Sequence, residues 1–362
     1  MHTRLAALLL ATATLTGNVG TVLRAQATPA PTAAAVFAGP VEVAATGFQF
    51  TEGPVWHPEG FLLFSDIPAN RIYRLQADGS ATVWRADSGS SNGLTVDRQG
   101  RLIACEHGNR RVSRTMADGT VTALAERWEG ARFNSPNDAA VRADGSVYFT
   151  DPPYGLGKRP REIDVQGVYR VGPDGRVDCL LRDFRKPNGI AFSPDESQLY
   201  VADTEANHVR AFAVRPDGTL GEGRVLAEVK TPDGLKVDRA GRLFVTSGDG
   251  VVVLAPDGTR LTVMAFPEVP ANCAFGGNDG RTLYVTARKG VYRVRLNSPG
   301  ILAGDAAAGP VRRAGAGPSV RRPGLCRAGL AALLQEGYIP RVAWPPQGKA
   351  VVTESGTTVD SR

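Results

Sequence analysis

Six residues with oxygen-bearing side chains open six similar segments of this 362-residue chain: Glu52, Asn92, Asn137, Asn188, Asp233 and Asn272. Two are carboxylates, four are amides, and none is Cys or His. An oxygen-only donor set of this kind suits a hard divalent cation, calcium first, and not a thiolate site. Taken singly, each residue also reads as turn chemistry: Glu52, Asn92, Asn188 and Asp233 precede glycine, and Asn-Gly and Asp-Gly are turn formers. What separates the two readings is whether the six meet. Polar groups that converge out of bulk water need partners, which water, one another or a metal can supply. A metal is the expectation here.

The elements that would bring them together are legible as an internal repeat. The segments begin EGPVWHPEGFLLFSD at Glu52, NGLTVDRQGRLIACE at Asn92, NDAAVRADGSVYFTD at Asn137, NGIAFSPDESQLYVAD at Asn188, DGLKVDRAGRLFVTS at Asp233 and NCAFGGNDGRTLYVTA at Asn272. The spacings are 40, 45, 51, 45 and 39 residues. Each segment has an apolar strand, a turn rich in Asp and Gly, and a second strand rich in Val, Leu, Phe and Tyr; most add two more strands. Four antiparallel strands per period is the pattern of a propeller blade, so the expected fold is all-β, a six-bladed β-propeller. The last repeat has only three strands, and residues 41–44 precede the first repeat without a partner. Pairing them closes the ring and removes an open edge. Because innermost strands run along the axis, the six opening residues are expected at one channel mouth. The ends of the second strands, Asp66, Glu106-His107, Asp151, Asp203 and Ser247, are expected to add polar groups to its rim.

Outside residues 41–296 the composition changes. A weakly basic start, an apolar run over residues 5–15 and the cleavage pattern Ala25-Gln26-Ala27 read as a secretory signal in residues 1–27. The run is too short to span a bilayer, so the mature protein is expected to be periplasmic or secreted, with no membrane insertion. Residues 28–40 read as a linker. Residues 297–362, rich in Ala, Gly, Arg and Pro, lack the blade pattern and read as a low-complexity, poorly ordered tail. The stretch from residue 301 onward holds eight Lys/Arg and four Asp/Glu, most of the formal net charge of +6. The body is therefore near neutral, without the electrostatic footprint of a nucleic-acid binder. Cys105, Cys179, Cys273 and Cys326 have no C-x-x-C spacing, which argues against a cysteine-based zinc site; the first three are expected as buried thiols.

Several motifs fall in order on the blades: Glu52-Gly53-Pro54-Val55-Trp56, Ser135-Pro136-Asn137-Asp138, Pro187-Asn188-Gly189, Pro232-Asp233-Gly234 and Phe275-Gly276-Gly277. With them the chain resembles the gluconolactonase, regucalcin and luciferin-regenerating-enzyme family over about residues 45–296, and the run from Phe149 to Gly155 resembles its bacterial lactonase branch. The resemblance implies one divalent metal held by Glu52, Asn188 and Asp233. Asn137 is either a fourth ligand or bound through water or substrate. Calcium is expected, with zinc, magnesium and manganese as alternatives that members of the family accept. In one respect the chain departs from the pattern: mammalian members carry an Arg two residues before the counterpart of Asn137, where it touches substrate, and this chain has Ser135. Asn92, Asn272 and His107 are left as substrate-side candidates, with a solvated loop position the alternative for His107.

The activity expected from these residues is metal-assisted hydrolysis of a small lactone, an aldonolactone first, with Asp233 as general base and Asn137 orienting substrate oxygens. The protein is expected to act as a monomer or weak oligomer. Rival readings are a phosphotriesterase-like hydrolase on the same metal site, a non-catalytic calcium- or partner-binding propeller, and a strictosidine-synthase-like propeller. Glu52, Asn188 and Asp233 speak against the last two.

Overall fold

Alternating runs of Val, Leu, Ile and Phe, punctuated by Asp-Gly turns, fold into six four-stranded antiparallel sheets. The computed structural model describes residues 36–305 apart from Ala77. The segment expected as a signal, Cys326 and residues 306–362 lie outside the described residues. Blade 1 runs through Thr51–His57, Phe61–Asp66, Arg71–Leu75 and Ala81–Ala86. The first strands of blades 2 to 6 are Ser91–Val96, Ala139–Val141, Pro187–Phe192, Leu235–Val237 and Pro270–Gly276. Blade 6 supplies three strands of its own, and Glu42–Thr46 completes it by pairing with Gly290–Arg295, Glu42 opposite Arg293. The expected ring closure is thus present.

A lone sheet would leave two apolar faces in water, so burial requires sheet against sheet. Six buried hydrophobic clusters result, one between each pair of neighbouring blades. The cluster between blades 6 and 1 includes Trp56, Leu62, Phe64, Tyr284 and Val291, so the first and last blades pack like any other pair. Deleting residues 42–46 is expected to strip the outer strand from blade 6 and abolish cooperative unfolding of the ring. Circular dichroism and a denaturant titration would check this, and an unchanged midpoint would rule the closure out as a source of stability.

The packed unit runs past residues 41–296 on both sides. Val36 and Phe37 are buried against blades 5 and 6, with the Phe37 ring edge-on to Phe244 at 6.3 Å. Gly300 bridges to Asp238 and donates its N–H to the Gly280 carbonyl at 2.9 Å. Residues 301–305 line an apolar cavity of about 140 Å³ at the far ends of the innermost strands, together with Val96, Ile190, Phe192 and Phe275. Leu302 packs on two of the inter-blade clusters. This segment covers the channel mouth opposite the one where the six oxygen-donor residues begin their strands. Cys105 and Cys273 are buried free thiols, as expected, while Cys179 is only partly buried.

Candidate active site

The opening residues of the blades do not sit in turns. Each glycine after them lets two neighbouring backbones approach at the axis. Gly93 donates its N–H to the Asn137 carbonyl at 2.8 Å, Gly189 to Asp233 at 3.0 Å and Gly234 to Ala271 at 2.9 Å. A Cβ on Gly189 would lie 2.5 Å from the Asp233 oxygen, and one on Gly53 would lie 2.0 Å from the Asn92 oxygen. Only glycine permits such contacts. The ladders bulge just here, between Glu52 and Val55, Ser91 and Leu94, and Pro187 and Ile190. An irregular ladder at the start of a strand re-aims its side chains. Hydroxyls from the second strands secure the ring: Ser65 donates to the Asn92 carbonyl at 2.8 Å, Thr150 to Asn188 at 2.8 Å and Thr246 to Ala271 at 2.8 Å.

These devices bring Glu52, Asn92, Asn137, Asn188 and Asp233 to one cavity of about 640 Å³, with His107 on its wall. Asn272 does not line it, though its side chain hydrogen-bonds Glu52. Its carbonyl oxygen accepts the Cys273 N–H at 2.8 Å and its amide donates to Asp138 at 3.4 Å. Asn92 and His107 are joined side chain to side chain, Nδ2 to Nε2, at 3.2 Å. His107 is buried and not a solvated loop residue; burial, then the nearby Arg159, push its pKa down to about 4, so it is neutral at physiological pH.

The expected carboxylate rim is different from the one found. Asp66, Asp151 and Asp203 do not line the cavity. Each accepts two backbone N–H groups from residues just before its own blade's first strand: Gln49 and Phe50 for Asp66, Asn134 and Ser135 for Asp151, Arg185 and Lys186 for Asp203. A buried carboxylate is satisfied there, holding the chain as it enters the channel. Glu106 is likewise occupied by Arg85, Arg111 and Ser113, and Ser247 by the Gly250 carbonyl. The cavity wall is instead made by the next residues along, Ile67, His107 and Thr204.

Two carboxylates, Glu52 and Asp233, lie in the cavity in the field of their acidic neighbours. Glu52 is buried, and its pKa is driven well up, first by burial and then by Asp233, although the Gly53 N–H at 2.8 Å opposes this. Asp233 is pushed up to about 7 by burial and by Asp138, against a hydrogen bond from Asn188 and the charge of Arg288. Below them lie two groups not singled out from the sequence. Asp138 is bound by Lys236 at 3.3 Å, by Asn272, and by the Ala139 N–H at 2.9 Å. Lys236 is a cation in the otherwise apolar innermost strand Leu235–Val237, and that oddity was the available signal. It is engaged with Asp138 and the Leu235 carbonyl at 3.0 Å. Arg288 lines the same cavity and its charge partly offsets the rise of Asp233, but among the described residues no ion pair joins a cation to Glu52 or Asp233.

The family profile described as the SMP-30/Gluconolactonase/LRE-like region matches residues 50–289, the six blades and the site together. The chain belongs to this family. It is 34% identical over 294 residues to a gluconolactonase of Zymomonas mobilis, covering 72% of this chain and 82% of the relative. It is 32% identical over 259 residues to a pentonolactonase of Haloferax volcanii, covering 68% and 84%. Among solved structures, a gluconolactonase of Xanthomonas campestris superposes with a TM-score of 0.68 at 38% identity, covering 71% of this chain and 89% of that one.

Ser135, where this member of the SMP-30/gluconolactonase-like family departs from the mammalian pattern, does not face the cavity. Its hydroxyl donates to the Pro152 carbonyl at 2.6 Å and accepts the Gly155 N–H at 2.8 Å. It fastens the turn that carries Tyr154, and Tyr154 lines the cavity. Arg159 ties the same segment to blade 2 by donating to the carbonyls of Gly108 at 2.6 Å and His107 at 2.9 Å. One wall of the cavity is thus polar, with Asn92, His107, Tyr154 and Thr204; the other is mainly apolar, with Phe50, Ile67, Pro68 and Val269, and carries Arg288 over the Phe50 ring at 5.5 Å.

Proposed function

We propose that this protein hydrolyses a small lactone in the channel-mouth cavity, with a divalent metal, calcium by preference, held by Glu52, Asn188 and Asp233. The observation that carries the reading is the pair Glu52 and Asp233. Two carboxylates raised in pKa by burial and by neighbouring carboxylates, Asp233 and Asp138 for Glu52 and Asp138 for Asp233, with neutral amides around them and only the more distant Arg288 as a cation, are costly unless a further positive charge joins them. The donor set fits a hard cation on its chemistry, since every candidate atom is oxygen. Among the described residues no group of three or more His, Cys, Asp and Glu is arranged to hold a metal; this set has two carboxylates and reaches its number through amides. The lactonase relatives support the substrate class.

When bound, the metal would polarise the carbonyl of the ring ester as a Lewis acid. The chain's own residues do the rest. Water adds to the carbonyl carbon, and Asp233 takes its proton. The acyl carbon–ring oxygen bond then breaks, and the proton passes to the departing ring oxygen, leaving a hydroxy acid. Asp233 works by proximity, within a cavity that holds water and ester together. The neutral His107 accepts or donates a hydrogen bond without adding charge. The apolar wall suits the C–H face of the ring.

Asn137 tests the division between ligand and substrate clamp. A neutral amide contributes less to a divalent cation than a carboxylate, so its loss should affect metal least. Asn137→Ala is expected to lower kcat/KM by at least ~10-fold, about 1.4 kcal/mol, with a smaller fall in metal affinity than Asp233→Asn. Calcium titration by calorimetry beside lactone kinetics measures both. Loss of metal as complete as in the Asp233 variant would make Asn137 a direct ligand and refute the clamp. Wild-type protein that opens no lactone with or without added metal would sink the function itself.

A further inference from the structure

The turn held by Ser135 presents one hydroxyl whose bonding is incomplete. Tyr154 lies on the cavity wall with its side chain 43% exposed, and its oxygen accepts from Asn188 Nδ2 at 3.4 Å. The Thr204 hydroxyl is the other neighbour. Thr204 itself donates to the Pro232 carbonyl at 2.7 Å and accepts from Asn188 at 3.1 Å, so toward Tyr154 it can only accept. A phenol has one donor and two acceptor positions. Asn188 fills one acceptor position, and among the described residues no hydrogen bond occupies the phenol's donor, so the donor and one acceptor position are left for a ligand in the cavity.

Resting on the lactonase reading above, we propose that Tyr154 is a specificity-determining residue that hydrogen-bonds a hydroxyl of the lactone ring, and that Ser135 is its positioning residue. The substrate class this selects is a lactone bearing free hydroxyls, over an unsubstituted ring ester. The placement is firm because the turn is held at both ends: the Ser135 hydroxyl spans Pro152 and Gly155, and Arg159 fixes Gly155 by its carbonyl at 2.5 Å. A site built to pair with a substrate hydroxyl discriminates strongly against the analogue that lacks it. The phenol also touches Asn188, so an effect through the metal site is the rival account, and the test separates the two.

The experiment compares glucono-δ-lactone with δ-valerolactone in wild type, Tyr154→Phe and Ser135→Ala, with calcium affinity measured by calorimetry on each. The ratio of the two kcat/KM values is expected to fall at least ~10-fold in Tyr154→Phe, through KM for the hydroxylated ring. Ser135→Ala is expected to lower the ratio in the same direction by a smaller factor, and calcium affinity is expected to move less than threefold in both. An unchanged ratio in an active Tyr154→Phe enzyme overturns the assignment and leaves the lactonase reading standing. A loss of calcium binding in Tyr154→Phe overturns it in favour of a role through Asn188. Wild type inert on both lactones removes the lactonase reading and the assignment with it.

Discussion

Asp233→Asn is expected to cut lactone hydrolysis by at least about a hundredfold, the scale of a lost general base, and yet to stabilise the metal-free protein. The two effects have one cause. Burial and the field of neighbouring carboxylates hold Asp233 near 7 and Glu52 well above its ordinary range. A group whose folded pKa is raised contributes stability below its unfolded pKa and loses it as pH rises through the folded value. Above about pH 7 the metal-free fold therefore carries both charges at a cost. Replacing Asp233 by its neutral isostere removes one poorly solvated charge and its repulsion on Glu52, a gain on the order of 2 kcal/mol. Thermal melts of chelated wild type and variant at pH 8 measure it; a lower melting temperature for the variant would contradict the electrostatic account. The same reasoning orders the effect of metal. Ligand carboxylates must be ionised, so saturating calcium should raise the melting temperature more at pH 8 than at pH 5. An equal shift at both pH values would mean that calcium binds elsewhere.

Gly189→Ala is the second large effect expected, and it acts without touching any functional group. The added carbon would stand 2.5 Å from the Asp233 carbonyl oxygen and 2.5 Å from the Leu235 nitrogen. Both are backbone atoms that cannot swing aside. The neighbouring blade must move, which threatens the 3.0 Å bond from Gly189 to Asp233. Overpacking of this kind costs about 1–3 kcal/mol. The displaced atoms belong to Asp233 and the residues just after it, and the added carbon follows Asn188 directly, so calcium affinity and kcat/KM should fall along with the melting temperature. Gly39→Ala, where a Cβ meets nothing within 4 Å, serves as the control. A Gly189→Ala protein that melts and turns over like wild type would show that the close approach at the axis is not needed.

Much of this could be read along the chain. Six segments spaced at 39 to 51 residues, each with two apolar strands around a polar turn, leave few ways to bury both faces of every sheet. The three-stranded last repeat and the unpaired start of residues 41–44 similarly have one economical solution, and Glu42–Thr46 adopts it. The convergence of Glu52, Asn92, Asn137, Asn188 and Asp233 followed from the same geometry, because a residue that opens an innermost strand can only lie at a channel mouth. These are properties of periodicity, and periodicity is local information.

What the tertiary structure decided is where individual polar groups find partners, since that depends on atoms from other blades. Asp66, Asp151 and Asp203 look like rim carboxylates in a repeat alignment, but each turns to two backbone N–H groups that only the folded entry segment offers. Asn272 occupies the sixth equivalent position yet does not line the cavity, its side chain being shared between Glu52, Asp138 and the Cys273 N–H. The glycines after Glu52, Asn92, Asn188 and Asp233 read as turn formers and serve instead to admit a neighbouring backbone. Ser135 and Tyr154, 19 residues apart in sequence, become one device through a turn whose closure no pattern announces. The sequence by itself determined the ring, its closure and five of the six residues at its mouth, because repetition and strand direction set them. The partners of the buried charges, and with them the electrostatics of the site, were decided only when neighbouring blades brought their donors and acceptors within hydrogen-bonding distance.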